Sequence, residues 1–147
     1  MKRIFIALAL IATQSTQVWA ECGNLCDTYW WETATTSDVK TTLDAGADVM
    51  ARGEYGWTPL HLAAASATPE NIQALLESGA DVMASDEAGW TPLHAAAGYG
   101  TPESIQVLLA AGADMMVTNK SFTILHFAAA YGPPENIQAL LESGADV

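Results

Sequence analysis

The chain has 147 residues, half of them hydrophobic, enough for one domain with an apolar core. Seventeen acidic residues stand against five basic ones, a net charge of −12. Such a surface repels phosphate backbones and anionic lipid, which argues against nucleic acid and leaves neutral or basic protein partners.

The first twenty residues read as a secretory signal. Lys2 and Arg3 precede an unbroken apolar run from Ile4 to Ala12, and Val18-Trp19-Ala20 supplies a signal-peptidase site. The run falls short of the ~20 apolar residues a membrane span needs, so no membrane anchor is expected. Cleavage after Ala20 and export to the periplasm or the medium are the expectation. Lys40, Arg52 and Lys120 are then the basic residues left.

Cys22 and Cys26 come next. In an oxidising compartment they are expected to form a disulfide across one turn, a local staple of about 2 kcal/mol. A redox pair usually has two residues between its cysteines, and no further Cys completes a metal set. Residues 21–50 are expected to form an N-terminal cap. Its first helix covers Tyr29 to Ala34, with Trp30 and Trp31 as bulky closure, and its second covers Ser37 to Gly46, with Val39 and Leu43 inward.

Three repeats follow, at 51–83, 84–116 and 117–147. PENIQALLESGADV occurs at Pro69–Val82 and unchanged at Pro134–Val147, with PESIQVLLAAGAD between them from Pro102. GWTPLH occurs at Gly56 and Gly89, and SFTILH at Ser121. Gly46, Gly79, Gly112 and Gly144 are spaced by 33, 33 and 32 residues. Thr58 and Thr91 suit a helix N-cap, with Pro59 and Pro92 in the first turn. Thr68 and Thr101 cap a second helix, whose Ile72, Leu75 and Leu76 share one face; Gly79 stops it. One such unit cannot bury its apolar face alone, and stacking does.

GWTPLHLAAA followed by LLESGADV at this period resembles the ankyrin repeat, over Thr35 to Val147. The resemblance implies an all-α solenoid of stacked helix pairs with finger loops and a concave surface that binds proteins. It also implies that His61, His94 and His126 tie finger to helix by local hydrogen bonds. A shared metal ion is opposed by the ~8–10 Å between neighbouring helices. Met50, Met83 and Met116 stand where that pattern usually has Asn; a Cu(I)-type thioether site meets the same objection, and an apolar ladder is the expectation.

The candidate partner-binding residues are aromatic. Trp57, Trp90 and Phe122 precede the capping Thr, Tyr55 lies beside Trp57, and Tyr99 and Tyr131 end two first helices. Together they are expected to line the concave face, where aromatics dominate binding energy. No nucleophile constellation, phosphate loop or metal motif appears, so neither an enzyme nor a cofactor is expected. The expected function is an exported protein-interaction or scaffold module. The alternatives are a fragment or domain of a larger exported protein with its effector part missing, and a metal-handling protein. The last helix, Pro134 to Ser143, repeats an interior helix, so further repeats or self-association through that end is also an expectation.

Overall fold

The computed structural model describes residues 22–147; the expected signal at 1–20 lies outside them. The described residues contain seven α-helices. They are α1 Thr36–Asp44, α2 Pro59–Ser66, α3 Pro69–Glu77, α4 Pro92–Tyr99, α5 Pro102–Ala110, α6 Ile124–Tyr131 and α7 Pro134–Glu142. Helices α2, α4 and α6 pack in series as one row, and α1, α3, α5 and α7 as the other. No helix among them is long and apolar enough to cross a membrane.

Local sequence explains the helix starts. Thr58, Thr91 and Thr123 cap the first-row helices, each in a reciprocal box with the His three residues on. Thr68 and Thr101 cap α3 and α5 by accepting from Asn71 N–H and Ser104 N–H. Pro133 takes that place before α7, which has no side-chain cap. Close packing explains the first-row ends. A Cβ at Gly100 would collide with the Ala64 carbonyl oxygen, and one at Gly132 with that of Ala97. Glycine at these two positions therefore lets consecutive first-row helices touch, beside the buried Ala63, Ala64, Ala96 and Ala97.

The core is a column of aliphatic side chains. Leu60, Leu93 and Ile124 line the first row, and Ile72, Leu75, Ile105, Leu108 and Leu140 the second, all fully buried. Two buried amides reach between repeats. Asn71 Nδ2 donates to the Ala34 carbonyl at 2.8 Å. Asn136 Nδ2 lies 3.2, 3.1 and 3.0 Å from the carbonyls of Ala96, Ala97 and Gly100. These carbonyls lie at the C-terminal end of α4, where Ala96 O also accepts Gly100 N–H at 2.9 Å. Ser104, at the equivalent position of the middle repeat, is too short to reach back and pairs with its own cap, Thr101, at 3.0 Å.

The N-terminal unit corrects one expectation. The segment from Tyr29 to Ala34 is not an α-helix but holds a single 3-10 turn, Trp30–Glu32. Trp31 is buried and its Nε1 donates to the Leu25 carbonyl at 3.0 Å. Downstream, Thr35 and Asp38 form a capping box that starts α1 at Thr36. Pinned at one end and capped at the other, the six residues have no room for further helical turns. Val39 is buried and Leu43 half-buried on α1, as expected. Cys22 precedes and Cys26 ends another 3-10 turn, Gly23–Cys26, with Cα atoms 5.7 Å apart and sulfurs at bonding distance.

Candidate binding surface

Three fingers project from the first row, at 51–57, 84–90 and 117–122. Each closes on itself. Gly53 N–H donates to Trp57 O at 2.8 Å, Asp86 N–H to Trp90 O at 2.9 Å, and Asn119 N–H to Phe122 O at 3.1 Å. The third finger is one residue shorter. It turns through Lys120 and Ser121, both at positive φ (46° and 75°), the geometry of a tight two-residue hairpin.

The first two fingers are stitched by polar contacts. Arg52 Nη1 donates to Ser85 O at 2.8 Å and lies 3.2 Å from Gly56 O. Trp57 Nε1 donates to Asp86 Oδ2 at 3.0 Å, and Glu87 N–H donates to Tyr55 O at 3.1 Å. Tyr55 itself sits at φ 59°, a conformation that costs a bulky residue ~1–3 kcal/mol and persists only where surroundings impose it. The second and third fingers share a bond from Asn119 Nδ2 to Ala88 O.

The histidines behave as ties, as the resemblance implied, but not equally. His61 Nδ1 sits 2.9 Å from Thr58 Oγ1 and its Nε2 3.0 Å from the Trp90 carbonyl, so one ring joins helix, cap and the next finger. His94 makes the same cap contact with Thr91 at 2.9 Å, yet its buried Nε2 has no hydrogen-bond partner. The shortened third finger brings no carbonyl into bonding geometry there. Burial pushes His61 below the ordinary imidazole pKa; the Trp90 carbonyl and the Asp86 charge oppose the shift. Burial takes His94 down to about 4, against the pull of Asp86 and of the nearby Val117 carbonyl. His126 is exposed and pairs with Thr123.

The methionine ladder is more than apolar. Met50 Sδ accepts Asp81 N–H at 3.2 Å, and Met83 Sδ accepts Asp114 N–H at 3.3 Å. Each sulfur thus takes a finger-base amide of the following repeat, the kind of contact expected of an Asn side chain at that position. Asp48, Asp81 and Asp114 each accept the N–H of the Met two residues on. Among the described residues, no three His, Cys, Asp or Glu side chains converge as a metal ion requires.

The aromatic residues divide into two groups where one stripe was expected. Tyr55 is 70 % exposed beside half-buried Trp57, which stacks on His61 at 5.8 Å. Across the second and third repeats, Trp90 lies under Phe127 at 4.8 Å. Phe127 also meets Tyr99 at 6.0 Å and Tyr131 at 4.9 Å, and the two tyrosines pack at 5.9 Å. Tyr99 and Tyr131 remain 53 % and 60 % exposed on top of this pile. Phe122 stands apart, exposed over His126 at 5.7 Å. Phe127, the hub, was not among the expected residues. Its signal was present: the equivalent positions hold Leu62 and Ala95, and Gly98 interrupts α4 where a Cβ would strike the Phe127 ring. Tyr29, the most exposed tyrosine, was also missed.

Comparison with protein families agrees with this geometry. A model described as "Ankyrin repeats (3 copies)" matches residues 85–147, and one described as "Ankyrin repeat" matches residues 55–87. The chain belongs to the ankyrin-repeat family, a class of helical solenoids that generally mediate protein–protein contacts. No curated protein matches the chain.

Proposed function

We propose that this protein is an exported interaction module that holds a neutral or basic protein partner on its finger and first-helix side. One observation carries the reading: two tyrosines, more than half exposed, stand on a packed aromatic pile that spans two repeats. Rigid aromatics of this kind bury large area at low entropy cost, and they are already fixed in place before binding. The acidic balance of the chain favours the charge of the partner. Export rests on the leader-like first twenty residues and on the Cys22–Cys26 pair, which an oxidising compartment would close. Contact between copies through exposed Leu141 on α7 is a secondary part of the proposal.

The test is a capture from the exported fraction. A partner bound by the wild type is expected to be lost, by about 2 kcal/mol or more, with Tyr99→Ala plus Tyr131→Ala. Gln73→Ala, on exposed α3 surface, is expected to leave binding unchanged. Equal loss with both variants, at intact helix content, would overturn the assignment of the face. The same secreted material should have a mass that starts at Glu21 and lacks two thiol hydrogens.

A further inference from the structure

The N-terminal loop and the first finger line a half-open cavity of ≈ 950 Å³ that the aromatic pile on the second and third repeats does not reach. Tyr29 and Tyr55 form two of its sides, Trp57 a third, and buried Leu62 lies behind them. Tyr29 is 79 % exposed, and neither tyrosine ring stacks on another aromatic. Their faces are therefore free, unlike those of Tyr99 and Tyr131. Asp27 and Glu54 border the same space. Arg52 is the cation beside them, and its Nη1 is engaged by the carbonyls of Gly56 and Ser85.

We propose that this cavity is a subsite for a basic side chain, arginine or lysine, of a partner polypeptide. Negative ring faces and two carboxylates against one engaged guanidinium make a setting that attracts a cation and repels an anion. The backbone points the same way. Tyr55 is held at φ 59° on an exposed finger, by a bond from Glu87 N–H to its carbonyl. The second finger carries Ala88 at the matching place, so the fold itself does not call for tyrosine there. Strain retained at an exposed aromatic fits a surface that the ring is there to build. The loop wall is held close as well: a Cβ at Gly53 would lie 3.6 Å from Cys26 Sγ, so the cysteine turn packs directly on the finger. This deepens the proposed function, since it names the chemistry of one contact with the partner.

The probe is a short peptide with a single arginine, set against the same peptide with citrulline, which keeps the shape and removes the charge. The readout is the indole N–H resonance of Trp57, which lines the cavity and whose N–H is held by Asp86. The arginine peptide is expected to shift this resonance at concentrations at least tenfold below those the citrulline peptide needs. Tyr55→Gly, which suits the positive φ and so keeps the fold, should abolish the shift, and Glu54→Gln should weaken it severalfold. Tyr99→Ala plus Tyr131→Ala should leave it intact, so failure here is separable from failure of the broader reading. Equal response to citrulline, persistence in Tyr55→Gly, no response at all, or loss in the Tyr99/Tyr131 variant would each overturn the proposal.

Discussion

The first and second repeats are joined differently from the second and third, although the joined sequences are nearly the same. At the first junction the contacts between fingers are polar: Arg52 to Ser85, Trp57 to Asp86, and His61 to the Trp90 carbonyl. At the second junction the matching histidine has an orphaned Nε2, and aromatic rings fill the space, with Phe127 between Trp90, Tyr99 and Tyr131. The cause is small. One residue fewer in the third finger withdraws an acceptor, while Gly98 opens room for a phenyl ring. Identical TPLH motifs thus do equal capping work and unequal work between repeats, because the second role depends on the neighbour's loop length.

Acid should separate the two junctions most. His94 and His61 both have folded-state pKa values below the ordinary 6.5, His94 at about 4. The unfolded chain takes up its proton near pH 6.5, while folded His94 resists until about 4. Stability is therefore full above pH 6.5 and is lost as the pH falls through that window. A shift of this size corresponds to ~3 kcal/mol at most. Urea midpoints measured from pH 7 to 4 should fall accordingly. His94→Gln should flatten the profile more than His61→Gln; the reverse order would mean that the His61 tie, not the orphaned ring, governs acid sensitivity.

Phe127→Ala should come next, at about 2 kcal/mol for a half-buried ring with several aromatic neighbours. Hydrogen exchange should speed up in α6 and α7 and stay slow in α2 and α3, because repeats couple only to their neighbours. Uniform acceleration across all helices would show that the junctions are not independent. The smallest effect is a difference. His61→Ala should cost roughly 1 kcal/mol more than His94→Ala in denaturant titrations at pH 7.5, since only His61 bonds a carbonyl of the next finger. Equal costs would mean that the Trp90 carbonyl, already bonded to Asp86 N–H, gains nothing from the ring.

The helix pairs were legible in the sequence because their signals are local. A capping Thr starts six of the seven described helices, and in the second helix of a pair an i, i+3, i+4 apolar face and a stopping glycine lie close by in the chain. The short element at Trp30 was not legible, since it is set by the bond from Trp31 to Leu25 and by the capping box behind it. The candidate aromatic surface was half legible. Register placed Trp57, Trp90 and Phe122 at matching positions, but exposure depends on what the next repeat sets against each ring. Trp90 meets Phe127, Trp57 meets Asp86, and Phe122 packs over its own histidine. Buried Asn71 and Asn136 were missed because their partners lie 35 to 40 residues away.

The sulfur ladder has a consequence for oxidative damage. Met50 and Met83 each share a lone pair with an amide of the following repeat, whereas Met116 is 61 % exposed. An oxidant attacks the sulfur lone pair, so the exposed thioether of Met116 reacts before the two that are bonded. Sulfoxide formed there is polar and stands largely in water. Formed at Met50 or Met83, it would insert an oxygen into the joint between two finger bases. Met116 is therefore the rung of the three at which the first oxidising equivalents leave the bonded finger bases untouched.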